Sequence, residues 1–112
     1  MPLPPTNVTA EQRTAALAKA LEVRRARSVL LAEVREHGVE GLVSVLARSD
    51  DGDQAALRLR VLRLLRALPG IGPVRARRLL ERLSIPENRR VRGLGPNQRA
   101  ALLEAVDGKS QG

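Results

Sequence analysis

Residues 68–83 read LPGIGPVRARRLLERL, and this stretch decides the fold. Gly70 and Gly72 flank Ile71 between Pro69 and Pro73, a pattern that marks a tight turn rather than the interior of a regular element. Beyond it, Ala76, Leu79, Leu80 and Leu83 recur at three- and four-residue spacing, which predicts a helix over Val74 to Leu83 with one buried face. Arg75, Arg78 and Arg82 fall on the opposite face. Upstream, Leu57, Val61, Leu64 and Leu68 share one stripe, with Arg60, Arg63 and Arg66 on the far side. That spacing predicts a helix capped by Asp53 and running to about Leu68, with Leu59 facing out. The unit is helix, tight turn, helix, with a cationic exterior.

Working outward, Thr9-Ala10-Glu11-Gln12 reads as a capping box that opens a helix. The helix runs to about His37, where Gly38 offers the C′ position, and Val23, Ala26, Leu30 and Val34 fall at helical spacing. At 1.5 Å per residue it spans about 40 Å, longer than a domain of this size is wide, so its Ala-rich first half is expected to project. A second helix is expected from Glu40 to Ala47, closed by Ser49-Asp50-Asp51-Gly52. Residues 84–95 show no clear period. Pro96 suits the first position of a last helix that returns Leu102, Leu103 and Val106 to the core. With no strand signal, the fold class is all-α. A flexible lead-in over 1–8 precedes a long helix over 9–37, a compact body of about four helices over 38–107, and a frayed tail over 108–112.

The 112 residues suffice for one modest core. Phe, Tyr and Trp are absent, so the core is aliphatic and no base can stack on an aromatic ring. That argues against readers of splayed single strands. Without cysteine there are no disulfides, no thiol catalysis and no ordinary structural zinc site, a composition that fits a reducing cytosol. The start has no secretory pattern and no apolar run is long enough to span a bilayer, so neither export nor a membrane partner is expected. The formal charge is +8, with 18 Arg and 2 Lys. It is unevenly placed: residues 1–57 carry 7 basic and 8 acidic groups, and residues 58–112 carry 13 and 4. A field concentrated in one half is the footprint of a polyanion binder.

Two constellations carry chemistry. In the first, Gly70, Ile71 and Gly72 let the backbone approach a phosphate while the following helix, from Val74, directs free amides and its positive dipole end at the anion. Arg75, Arg77, Arg78 and Arg82 add charge-assisted bonds; the competing explanation is an ordinary interhelical turn. The second is Arg89-Arg90-Val91-Arg92-Gly93-Leu94-Gly95. If it is extended, Arg90 and Arg92 project to one side and Arg89 to the other, and Gly93 eases close approach to a narrow, electronegative minor groove. The competing explanation is a solvated loop.

Other groups point away from catalysis. His37, the single histidine, falls where a helix ends and a cation suits the dipole. No nucleophile is paired with a base, and neither a small-molecule substrate, a cofactor nor a metal is expected. Asp50-Asp51-Gly52-Asp53 hints at calcium, but Val61 or Leu62 stands where the closing acid of a twelve-residue loop belongs. Lys19, Arg24, Arg25 and Arg27 on the long helix are offset by Glu11, Glu22, Glu33 and Glu36. That face reads mainly as a solvated mixed surface, with weak contact to a second duplex as the alternative.

From Leu68 through Gln98, LPGIGPVRARRLLERLSIPENRRVRGLGPNQ resembles the C-terminal region of the actinobacterial integration host factor family. The stretch PLPPTNVTAEQRTAALAKALEVRRAR is similar to that family's N-terminal helix. The resemblance spans nearly the whole chain and rests on the combination of PGIG, R-x-R-R and RRVRGLG. It implies a small monomeric nucleoid-associated protein of the cytoplasm, with an S13-like helix–two-turns–helix body. Such proteins bind double-stranded DNA with little sequence preference, bend or constrain it, influence supercoiling and assist integration. The phosphate-binding turn of the family falls on Gly70, Ile71 and Gly72, followed by Arg75, Arg77 and Arg78, and its minor-groove loop on Arg89, Arg90 and Arg92. Pro73 replaces an expected lysine or other polar residue, which removes one phosphate contact, and Pro96 stands where a serine cap is common. The heterodimeric integration host factor that reads DNA with β-ribbons is an unrelated fold.

The same turn and helix also resemble ribosomal S13-type modules, which makes an RNA-binding module the main rival, with a basic adaptor for acidic proteins behind it. They resemble the DNA-binding body of formamidopyrimidine-type glycosylases as well, whose nucleophile is an N-terminal proline. Here Pro2 precedes Leu3 rather than Glu, and both the β domain and the zinc ligands are missing.

Overall fold

The computed structural model describes residues 9–107, so the expectations for the lead-in over 1–8 and the tail over 108–112 lie outside the described residues. Helix α1, Ala10–His37, opens on the predicted capping box. Thr9 Oγ1 accepts from the Gln12 amide and Gln12 Oε1 from the Thr9 amide, each at 3.0 Å. Every residue from Ala10 through Arg25 is exposed, and burial is complete only at Leu30, Leu31 and Val34. The Ala-rich half therefore stands clear of the body, where high helix propensity and the capped start sustain it without packing. The molecule measures 67 × 27 × 26 Å with a radius of gyration of 17.4 Å. A compact domain of this length has about 13 Å.

Gly38 ends α1 with φ +60°, as a C′ glycine should, although its ψ of −132° is not that of a left-handed helical turn. It leads directly into α2, Val39–Asp50, which is longer at both ends than expected. Close approach is built in at Gly41, where a Cβ would lie 2.3 Å from the Glu33 carbonyl oxygen. Beside it, Ser44 Oγ donates to Glu33 Oε2 at 2.9 Å and Arg48 Nη2 lies 3.4 Å from Glu33 Oε1. Asp53 caps α3, Gln54–Arg58, by accepting from the amides of Ala55 at 2.9 Å and Ala56 at 3.3 Å.

The single helix predicted from Asp53 to Leu68 is in fact two. Leu59 and Arg60 are extended, and α4 begins afresh at Val61–Ala67. The interruption lets residues 59–61 pair antiparallel with the loop 30 residues downstream: the Val61 amide donates to the Arg89 carbonyl and the Val91 amide to the Leu59 carbonyl, both at 2.9 Å. The backbone groups freed by breaking the helix are thus satisfied across the gap. Leu59, expected outside, turns inward to 3% exposure, while Leu57 is only half-buried. Full burial of a leucine contributes about 1.5–3 kcal/mol, enough to favour the break over an uninterrupted ladder.

Leu68-Pro69-Gly70-Ile71 closes a four-residue turn, with the Ile71 amide donating to the Leu68 carbonyl at 3.2 Å. Gly70 at φ +83° occupies the position where type II geometry demands a positive φ after proline. Helix α5, Pro73–Arg82, buries Ala76, Leu79 and Leu80 as predicted. It ends without glycine: Ser84 takes φ +58° and the Ile85 amide donates back to the Leu80 carbonyl at 2.8 Å, with the Ile85 side chain buried. This is a Schellman-type stop with serine in the left-handed seat. Helix α6, Pro96–Val106, buries Leu102 and Val106. Its Arg99 grips Asp50 at the end of α2 through two bonds of 2.7 and 2.8 Å. The core is a single aliphatic cluster, and among the described residues there is no β-strand beyond the one isolated bridge.

Candidate nucleic-acid interface

The turn before α5 presents backbone rather than side chains. Gly72 takes the N-cap position in extended conformation and offers no capping group, and Pro73 at the first position has no amide. The Val74 and Arg75 amides are therefore left facing outward, as the first amides of an uncapped helix must be. A Cβ placed on Gly70 or Gly72 would meet nothing within 4 Å, so the approach is open. Val74 is 61% exposed beside it. Along α5, Arg75, Arg77, Arg78 and Arg82 are all exposed because Ala76, Leu79 and Leu80 take the inward positions. Only Arg77 has a carboxylate nearby, Glu87 at 3.4 Å; Arg75, Arg78 and Arg82 have none within 4.0 Å among the described residues.

The second constellation differs from its prediction. Val91–Gly93 forms a single 3-10 turn, so the extended alternation of Arg90 and Arg92 on one side and Arg89 on the other does not hold. Val91 is buried and anchors the loop, whereas Arg90 and Arg92 remain exposed. Arg90 Nη1 reaches the Arg58 carbonyl at 3.4 Å. Arg89 is half-buried, and its Nη1 donates to the Gly93 carbonyl at 2.8 Å and to Gln98 Oε1 at 2.9 Å.

Gly70, Ile71 and Arg75 line a hollow with the α1–α2 corner and the end of α6, and Arg75 continues into a second hollow with Arg78 and Arg82. Arg90 instead faces a groove of about 520 Å³ between α1 and α3–α4, where Arg27, Arg58, Arg60 and Arg63 join it over Val23, Ala26 and Leu59. The structure thus gathers the turn and α5 residues around adjoining hollows and sets the loop arginine on a different one. The company of Arg58, Arg60 and Arg63 around Arg90 escaped the sequence because it depends on the Leu59–Arg60 break.

The two groups considered for other chemistry have structural duties. Asp50 is bound by Arg99, whose hydrogen bond holds the carboxyl below the usual aspartate range, and Asp53 is the α3 cap. His37 lies in the last turn of α1, exposed. Among the described residues no helix is long and apolar enough to cross a membrane.

Residues 35–106 match the S13-like H2TH domain family. Over 102 residues the chain is 45% identical to the integration host factor of Streptomyces coelicolor, covering 91% of this chain and 92% of that protein. It is 43% identical to the integration host factors of Mycolicibacterium smegmatis over 100 residues, with 89% and 93% covered, and of Mycobacterium tuberculosis over 97 residues, with 87% and 90% covered. The fold superposes with a TM-score of 0.71 on a solved structure of sIHF bound to an 8-bp palindromic DNA, at 36% identity, covering 80% of this chain and 98% of that one. The arginine-rich turn and loop therefore sit on a shared framework, and the chain belongs to the actinobacterial integration host factor family, built around an S13-like H2TH domain.

Proposed function

We propose that this protein is an architectural, nucleoid-associated DNA-binding protein that grips double-stranded DNA through its backbone with little sequence preference. The observation that carries this reading is the open, uncapped start of α5 followed by Arg75, Arg78 and Arg82, which have no carboxylate within 4.0 Å among the described residues. A phosphate would satisfy the amides and the charge together. Relatives that carry the name integration host factor, one solved on DNA, support the duplex as the ligand. In this reading the Gly70–Val74 backbone and the α5 arginines clamp one strand while Arg90 and Arg92 rim the neighbouring minor groove. Bending or constraining the duplex, with effects on supercoiling, integration and chromosome organisation, follows from holding two such tracks at once. The protein acts as a monomer, with the body over 38–107 as the DNA-binding unit and the α1 arginines available to a second duplex.

Nothing in the site forms a rigid fork for base edges, so affinity comes chiefly from counterion release. With roughly five to seven phosphates engaged, log K against log salt should fall with a slope of about −4 to −6. Arg90→Ala or Arg92→Ala should weaken binding to all duplex sequences and flatten that slope by about one unit per lost phosphate contact. An unchanged affinity in both variants, with helicity retained, would remove the loop from the interface. Structured RNA is the second reading, carried by the resemblance of the turn and α5 to ribosomal S13-type modules. Titration against linear, supercoiled and single-stranded DNA beside a folded RNA at equal salt separates the two, since the RNA reading requires RNA to compete at least as well as duplex.

A further inference from the structure

The RRVRGLG segment carries three arginines, but the structure treats them differently. Arg90 and Arg92 are exposed, whereas the Arg89 side chain lies back across its own loop. Its Nη1 spends both hydrogens inside the protein, on the Gly93 carbonyl at 2.8 Å and on Gln98 Oε1 at 2.9 Å. Gln98, in the first turn of α6, has both polar atoms of its side chain engaged. Its Oε1 also accepts from the Gly95 amide at 3.1 Å, and its Nε2 donates to the Ser84 carbonyl at 3.2 Å. One amide side chain thus joins the stop of α5, both ends of the arginine loop and the start of α6.

Gly93 belongs to the same device. Its φ is not in the left-handed region, so the backbone does not require glycine here. What a side chain would disturb is clearance, because a Cβ on Gly93 would stand 3.0 Å from Arg89 Cδ. Glycine leaves the lane along which Arg89 reaches Gln98.

We infer that Arg89 serves duplex binding as a positioning residue, through a clamp closed on Gln98 over Gly93, rather than as a phosphate ligand. The inference rests on the duplex-binding reading above and deepens it. The clamp fixes where Arg90 and Arg92 stand, and a planar guanidinium suits it because two acceptors in set directions must be met at once.

The test uses charge-neutral variants of the full chain, which a direct phosphate contact by Arg89 would not feel. A 20-bp duplex is titrated against the unmodified protein, Gln98→Leu, Gly93→Ala, Arg89→Ala and the combinations, with amide exchange followed without DNA and helicity checked by circular dichroism. Gln98→Leu should weaken binding about 5-fold, Gly93→Ala about 2-fold, and neither should weaken it further in the Arg89→Ala background, since coupled residues are not additive. Exchange at the Gly93 and Leu94 amides, which donate to Arg90 and Val91 carbonyls, should rise in all three single variants. If Gln98→Leu and Gly93→Ala bind as the unmodified chain does while Arg89→Ala alone loses affinity, or if the losses multiply, Arg89 is a phosphate ligand and the inference falls. Should Gln98→Leu lose helicity, Gly93→Ala with and without Arg89 decides alone. A failure of the unmodified chain to bind duplex would overturn the underlying reading, and is visible in its own titration, apart from any exchange result.

Discussion

Gly70 and Gly72 look alike in the sequence and differ in the structure. At φ +83° Gly70 is where the turn needs a residue without a Cβ, whereas Gly72, extended at φ −87°, needs none for its backbone. Because a Cβ on Gly72 would also meet nothing within 4 Å, Gly72→Ala should fold and melt like the unmodified protein yet bind duplex several-fold more weakly, the added methyl standing between the α5 amides and a phosphate. Urea unfolding beside a DNA titration checks both halves, and unchanged affinity would mean that no phosphate comes this close. Asp50 makes a second test. Arg99's hydrogen bond lowers its pKa from the ordinary 3.8, an effect that burial partly opposes. A carboxyl depressed in the folded state contributes stability that is complete above the unfolded value and is lost as pH falls through the folded one, so the loss falls below about pH 3.8. Carbon-detected titration of Asp50 should give a midpoint under that value, and Arg99→Gln should return it toward it.

Among the elements, Leu59 separates what periodicity predicts from what packing selects. An unbroken helix would make Leu59→Ala harmless; with the break and the burial observed, the substitution should cost about 2–5 kcal/mol by denaturant unfolding. Leu57→Ala, at a half-buried position, should cost less. The Thr9 capping box, the Asp53 cap, the α5 stripe and the glycine turn were legible because each is set by neighbours within four residues. The antiparallel contact of Leu59–Val61 with Arg89–Val91 was not, since a helical spacing of leucines carries no mark of a partner 30 residues away. The same distance hid half of the candidate site. Arg75, Arg78 and Arg82 follow directly from the turn, but the gathering of Arg58, Arg60 and Arg63 around Arg90 exists only after that contact forms. Ser84 in a left-handed stop was equally silent, as serine is seldom the residue that holds that seat.

For the molecule as a whole, α1 divides into a packed third and an exposed remainder. A chain beginning at Arg25 should keep the aliphatic core intact and unfold cooperatively, with stability within about 0.5 kcal/mol of the full protein, because Thr9 through Arg24 are all exposed. A larger loss would mean that the projecting half rests on the body in solution. If it stands free, rotation becomes direction-dependent. Amide bonds along α1 run down the long axis and sense mainly slow end-over-end reorientation, while those in helices lying across it also sense the faster spin. Nitrogen-15 transverse relaxation should therefore sort residues by the orientation of their helix, and a duplex seated on the body should lengthen the slow component most.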